Sequence, residues 1–296
     1  MTIIAGFSSS RQGSAPLNLA AQLSRTTGEK IIAAAVVERA LPAGADPIED
    51  EYQGYVTSQA TASLERVVDR VRGDLDISVT VHHSTSIPRG LMELVDQHSA
   101  DLVVVGSSSS GLLGRVALGS VTEHLVHTAA VPVAIAPRGY PLSPVPIQRL
   151  TAAYGGAADA VGLITTGAEL AKRWSVPMRI ASFTVRPLRT FGGSIEPAAE
   201  NLIVQRWSRK TMESALKQLN EARGSVEIPD VDVVIGAGTE WREAVDSITW
   251  ESGDLLLLGS GAAGPLAQVF LGSAASKIIR HAPVPVMIMP RHHTPA

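Results

Sequence analysis

Cysteine is missing from this 296-residue chain. Its absence excludes disulfide bridges, thiolate nucleophiles and cysteine-ligated metals, and it suits a reducing compartment. Aromatic residues are scarce, at 4%, so the core must be built from Ala, Val, Leu and Ile. A basic excess is lacking too. The formal net charge is −3, which removes the counterion-releasing surface that a general nucleic-acid or acidic-membrane binder needs. No stretch approaches the roughly 18 apolar residues of a membrane span. The opening MTIIAGFSSS has no basic segment ahead of a long apolar one, so no signal peptide is expected. Together these exclusions predict a soluble, cytoplasmic protein that binds neither nucleic acid nor membrane.

What is present has the balance of a folded protein, 45% hydrophobic against 18% charged. At about 150 residues per domain, the length suggests two domains. A repeat agrees with that number. GSSSSGLLGRVALGSV begins at Gly106 and GSGAAGPLAQVFLGSA at Gly259. Setting residues 101–138 against 254–291 needs no gap, and 17 of the 38 positions are identical, among them Asp101/Asp254, Gly119/Gly272 and Pro132/Pro285. The starts of the halves also correspond, IIAGFSSS from Ile3 facing LTAAYGGA from Leu150. The pattern is that of a duplicated domain. Between the halves lies PRGYPLSPVPIQR, whose four prolines cannot continue a helix or a central strand. The expected division is 1–138, a linker at 139–148, 149–291, and a tail at 292–296.

Each half alternates short apolar runs with longer segments of helical period. TIIAGF, KIIAAAVV, DISVTV, DLVVVG and VPVAIA read as strands in the first half, with helices from Ala15, Val56, Ile87 and Leu118. LTAAY, MRIASFTV, VDVVIG, DLLLLG and VPVMIM repeat the strands in the second. Strands apolar throughout belong to a sheet covered on both faces. Alternation of strand and helix gives parallel βαβ units, so the expected fold is α/β, two tandem doubly wound parallel sheets. Ligands in such folds bind at the carboxyl ends of strands where strand order reverses, and both Gly-Ser loops follow a fourth strand.

Gly119-Ser120 and Gly272-Ser273 open the last helix of each half, where unpaired amides and partial positive charge suit a phosphate. Gly106 and Gly111, like Gly259 and Gly264, let the backbone approach a ligand closely. A local alternative stays open: Ser120 with Glu123 spells a capping box, which uses the same donors. Other loops fail on particular residues. Gly106-x4-Gly111 is followed by Leu112-Leu113 rather than the Lys-Ser/Thr of a P-loop, and neither first strand is followed by Gly-x-Gly-x-x-Gly. YGGAADA at Tyr154 reads as a turn.

The arrangement resembles the universal stress protein family in its tandem form. The family loop is Gly-x2-Gly-x9-Gly-(Ser/Thr); this chain has Gly106-x2-Ser109-x9-Gly119-Ser120 and Gly259-x2-Ala262-x9-Gly272-Ser273. VTEHLVHTAAVPVAIAP and AASKIIRHAPVPVMIMP follow. The resemblance implies Rossmann-like domains packed about a pseudo-two-fold axis through their last strands. It implies a stress-response regulatory role and ATP or another adenine nucleotide as ligand, with Mg²⁺ entering only with the nucleotide. The implied site takes Ser8, Gly106, Ser107, Ser109, Gly119, Ser120 and Val121 in the first half. In the second it takes Gly259, Ser260, Gly272, Ser273 and Ala274. The second loop glycine is replaced by Ser109 and Ala262, and the first-strand Asp by Ser8 and Gly155. A lost glycine of positive φ is expected to strain the loop. A nucleotide-free protein-interaction module therefore stays open as the alternative, as does slow nucleotide hydrolysis.

The remaining candidates read as structural. His124 and His127 suit the end of a helix, and His82-His83 on a strand point to opposite faces and cannot chelate together. His292-His293 fall in the tail, and Arg115 reads as a solvated surface residue. No nucleophile–base pair or converging carboxylates are evident, so no enzyme and no metal site are expected. The protein partner is unspecified. The tandem chain is able to pair again as a homodimer, through a surface the sequence leaves unspecified.

Overall fold

A computed structural model describes residues 2–8, 13–39, 46–154, 160–185, 231–259 and 273–290, with isolated positions of 206–220. The first lobe runs β1 (Thr2–Phe7), α1 (Ala15–Thr27), β2 (Lys30–Glu38), α2 (Pro47–Val71), β3 (Ile77–Ser84), α3 (Ile87–His98), β4 (Leu102–Gly106), α4 (Ser120–Thr128) and β5 (Val133–Ala136). The second runs β6 (Arg149–Ala153), α5 (Ala160–Trp174), β7 (Met178–Val185), β8 (Val231–Gly238), α6 (Trp241–Asp246), β9 (Asp254–Gly259), α7 (Ser273–His281) and β10 (Val286–Met289). The ten strands form one sheet in the order β3-β2-β1-β4-β5-β10-β9-β6-β7-β8. Each lobe is parallel within itself. The expected doubly wound tandem is what the chain adopts.

The two halves join where the apolar run predicts. β5 and β10 are each four residues long and fully buried. Alone, each would be an open apolar edge. They pair antiparallel instead, Ile135 opposite Val286, Ala134 opposite Met287 and Val133 opposite Ile288, which sets the pseudo-two-fold axis.

Neighbouring strand residues face opposite ways, so the sheet has two cores. Ile3, Ala5, Ile31, Ala33 and Val104 pack with Leu17 and Leu23 of α1, Leu64 and Val68 of α2, and Ile164 of α5. Ile4, Ile32, Val103 and Val105 pack with Leu91 and Leu94 of α3, Leu125 of α4, Val245 of α6 and Ile279 of α7. Both cores hold residues of both lobes.

Residues 137–148 contain neither helix nor strand, so their carbonyls need outside donors. One face of α1 supplies them. Asn18 Nδ2 donates to Tyr140 O at 2.8 Å, Gln22 Nε2 to Val145 O at 3.0 Å and Arg25 Nη1 to Ser143 O at 2.8 Å. Thr26 Oγ1 accepts from Ile147 N at 2.8 Å. The Tyr140 hydroxyl donates to Gln22 Oε1, and burial pushes its pKa up to about 12. At the far end, Asp254 of the second lobe is 1% exposed and accepts from Nε and Nη2 of Arg149, each at 2.8 Å. Its repeat partner Asp101 accepts only the Thr2 amide among the described bonds, at 3.0 Å.

One element starts earlier than the sequence suggests. α2 begins at Pro47, nine residues before Val56, with Asp46 as its N-cap accepting from Ile48 N at 2.9 Å. Among the described residues, no helix is long and apolar enough to cross a membrane.

Candidate functional site

In the first lobe the build direction of the sheet reverses between β1 and β4, the place where an open α/β sheet forms a crevice. A cleft of about 580 Å³ lies there. Its floor is the carboxyl ends of β1 (Gly6, Phe7, Ser8), β2 (Ala34 to Glu38) and β4 (Val105, Gly106). Ser107, Ser109, Val121 and Thr122 border one side, and Tyr52, Gln53, Val56 and Ala60 of α2 border another. Gly13 also lines it. A Cβ at Gly13 would lie 1.8 Å from the Ser8 carbonyl oxygen, so only glycine lets the chain fold back over the end of β1.

The glycines of the β4–α4 loop answer first to their own lobe. A Cβ at Gly106 would sit 3.3 Å from Pro16 Cγ, and one at Gly111 would sit 2.6 Å from Ala117 Cβ. Gly106 thus admits α1 while also lining the cleft. The loop ties itself together. Ser107 Oγ accepts from Ala117 N at 2.6 Å, Ser108 N donates to Ala117 O at 2.8 Å, and Arg138 Nη1 donates to Gly111 O at 2.6 Å. Ser109 carries no strain from replacing a glycine: the described non-glycine residues of positive φ are Ser99 and Ser175.

The capping box is not formed. Gly119 is the N-cap of α4 and no side chain caps it, because the helix already includes Ser120 and its first turn closes from Glu123 N to Gly119 O at 2.8 Å. The helix head therefore keeps backbone donors at Val121 and Thr122, both on the cleft wall. Thr122 Oγ1 donates instead to Gly106 O at 3.1 Å. Of the described lining residues, Glu38 alone is charged. Gln53 contributes a buried oxygen: its Oε1 has no hydrogen-bond partner.

Arg115 is not the solvated surface residue expected. It pairs with Asp246 of α6 at 3.0 Å and donates to the carbonyl of His281, so the loop of one lobe grips the other. His82 and His83 do diverge. His82 Nε2 lies 2.8 Å from Glu93 Oε2 on α3, and His83 Nε2 lies 3.0 Å from Thr57 Oγ1 on α2. Hydrogen bonds from His82 and then Arg89 hold the Glu93 carboxyl down at about 2. Among the described residues, no three His, Asp or Glu converge as a metal site.

A model of the universal stress protein family matches residues 1–137 and again 146–290. The chain belongs to the universal stress protein family. Universal stress protein Rv2319c of Mycobacterium tuberculosis is 33% identical over 294 residues, 98% of this chain and 100% of the relative. Universal stress protein Rv2005c of the same organism is 26% identical over 246 residues, 81% of this chain and 77% of the relative. The crystal structure of a universal stress protein from Archaeoglobus fulgidus superposes with a TM-score of 0.59 at 17% identity. It covers 98% of this chain and 96% of that one, a likeness of fold.

In this universal stress protein, Ser8, Gly106, Ser107, Ser109 and Val121 converge on the first-lobe cleft. Gly119 and Ser120 stand just behind it, at the head of α4. In the second lobe, Gly259 ends β9, Ser273 starts α7, and Ala274 is exposed on it. Ser260 and Gly272 lie outside the described residues, as do Gly155 and most of the YGGAADA segment. The sequence reading missed Gly13, Glu38, Tyr52 and Gln53. The signal was Asp46-Pro47, an N-cap and first-turn proline that start α2 early enough to overhang the cleft.

Proposed function

We propose that this tandem universal stress protein is a stress-response regulatory module that takes ATP or another adenine nucleotide into its first-lobe cleft, without catalysis. The observation carrying this reading is that Ser107, Ser109 and the uncapped head of α4 at Val121 and Thr122 border one cleft of about 580 Å³. A helix head favours phosphate, and the apolar Ala35, Val37 and Val56 walls suit a base. Mg²⁺ enters only with the nucleotide. Residues 1–138 and 149–291 are the two copies, 139–148 joins them and 292–296 is a tail. Occupancy changes the surface that a protein partner reads, in the reducing cytoplasm that a cysteine-free chain suits.

One observation favours the nucleotide-free reading: Ser107 Oγ and the Ser108 amide are already engaged with Ala117. Native mass spectrometry of freshly purified protein, with calorimetric titration of ATP, ADP and AMP, separates the two. The expected result is one adenine nucleotide per chain, lost in Gly119→Trp but kept in Gly119→Ala, since an added Cβ there meets Ser108 Cβ at 3.5 Å, an ordinary contact. No bound mass and no heat would overturn the reading. Phosphate release above background would overturn its non-catalytic part, and the same spectra report whether two chains assemble.

A further inference from the structure

Arg115 starts in the cleft loop of one lobe and ends in the other lobe. Its guanidinium pairs with Asp246 Oδ1 at 3.0 Å and donates to the His281 carbonyl. Asp246 is the last residue of α6 and His281 the last of α7. The two helices form one packed unit. Val245 shares a core with Ile278 and Ile279, and Lys277 Nζ stands 5.6 Å from the centre of the Trp241 ring. The opposite end of that unit is Ser273, which opens α7 at the second Gly-Ser motif. The backbone of Arg115 faces the first lobe instead. Its carbonyl accepts from Arg138 N at 3.0 Å. On the cleft wall, Ser107 Oγ donates to the Ala117 carbonyl at 3.1 Å and lies 3.4 Å from the Arg115 carbonyl. The Ser107 hydroxyl is thus spent on the very segment that Arg115 anchors. The repeat does not reproduce the bridge. Arg242 and Asp246 repeat Arg89 and Glu93, but Arg115 falls opposite Gln268, which carries no charge. Glu93 is bonded within its own lobe, to His82 and Arg89.

We propose that Arg115 is a latch between the lobes, a positioning residue whose grip on α6 and α7 holds the cleft loop in its self-bonded form and withholds Ser107 from an anionic ligand. The ligand side of this coupling rests on the first-lobe cleft taking a phosphate-bearing molecule. For Ser107 to donate to a phosphate oxygen, its single proton must leave the Ala117 and Arg115 carbonyls. Residues 115–117 then keep fewer ties to the first lobe, and the cross-lobe bridge loses part of its footing. By linkage the reverse holds, and whatever loosens the bridge makes Ser107 easier to recruit. The pair is part-exposed, at 23% and 37%, which sets an effect of about two- to fivefold. Gln268 has no charge with which to repeat the bridge from the second loop.

Two measurements on the full chain test this. The first is hydrogen exchange without nucleotide, read in the peptides holding Ser108, Gly114 and Ala117, whose amides bond to Ala117 O, Arg138 O and Ser107 Oγ. Asp246→Asn changes the second lobe, yet it is expected to quicken exchange in this first-lobe loop about two- to fivefold. Arg242→Gln takes from Asp246 only its more distant partner, at 3.7 Å, and is expected to leave the loop unchanged. The second is calorimetric titration with ATP. Arg115→Gln and Asp246→Asn are both expected to bind it about two- to fivefold more tightly than the wild type. One variant removes a positive charge and the other a negative one, so a bare field effect would move their affinities in opposite directions. General loosening of the fold would weaken both. Loop exchange unchanged in Asp246→Asn, or quickened equally in Arg242→Gln, would overturn the latch. Affinity for ATP unchanged or lower in either latch variant would overturn its hold on Ser107 and leave the cleft reading standing. No ATP bound by wild type or variants would overturn the cleft reading, and loop exchange would still decide the latch.

Discussion

Replacing Asp254 by Asn tests how the second lobe is pinned at the amino ends of its strands. Asp254 is 1% exposed and accepts Arg149 Nε and Nη2, each at 2.8 Å, Arg179 Nη2 at 3.4 Å and the Glu251 amide at 2.9 Å. One carboxylate thus stands between two guanidiniums. Burial, then the Arg149 charge, lowers the proton affinity of Arg179, and Asp254 opposes both. Removing one partner of a buried pair costs about 3–5 kcal/mol. The lower end applies here for two reasons. The Arg149 side chain is 24% exposed and recovers water. Arg179 keeps Thr249 O at 2.8 Å, Thr151 Oγ1 at 3.1 Å and the Trp250 ring at 4.8 Å. The expected loss is about 3 kcal/mol, or about 6–12 °C in Tm at about 2–4 °C per kcal/mol. Urea denaturation and calorimetry read it. Asp101→Asn is the internal control, because that repeat position accepts one described backbone bond and should cost about 1 kcal/mol. Equal losses at the two sites, or less than about 1 kcal/mol at Asp254, would refute the network account.

Three further outcomes are expected. Glu93 is held at about 2 against an ordinary 4.5; a depressed carboxyl stabilises the fold above its unfolded value and loses that contribution as pH falls toward 2. Glu93→Gln should therefore flatten the decline of stability with acid in that window, followed by circular dichroism against pH. A Cβ at Gly90 would meet Val36 Cγ1 at 2.6 Å and Ser84 Cβ at 3.0 Å, so Gly90→Ala should cost about 1–2 kcal/mol in urea despite the better helix propensity of alanine. Arg115 and Asp246 are part-exposed, at 23% and 37%, so a double-mutant cycle should return a coupling of about 0.5–1 kcal/mol that weakens with salt.

Most of the fold was legible because the strands nearest the seam are apolar almost from end to end, and a run such as DLVVVG has few other places to go. The seam was legible for the same reason: VPVAIA and VPVMIM are too apolar to be left as edges. The first turns of α2 were not, because the stripe they carry, Ile48, Tyr52 and Tyr55, is exposed rather than packed on the core; those turns stand over the cleft. The loop half of the site was written in Gly106, Ser107 and Ser109. The helix half was not, since no spacing records that Tyr52 and Gln53 line the cleft. Arg115 was misread for want of its partner, Asp246, which lies 131 residues away along the chain.

Because β5 and β10 run in opposite directions across the seam, the strands of the two lobes finish on opposite rims of a single slab. Whatever docks over one rim stands a full strand length from anything docked over the other, and no single small molecule spans both. The chain is accordingly two-ended, and news from one rim reaches the other only through the shared slab and the grip between the halves.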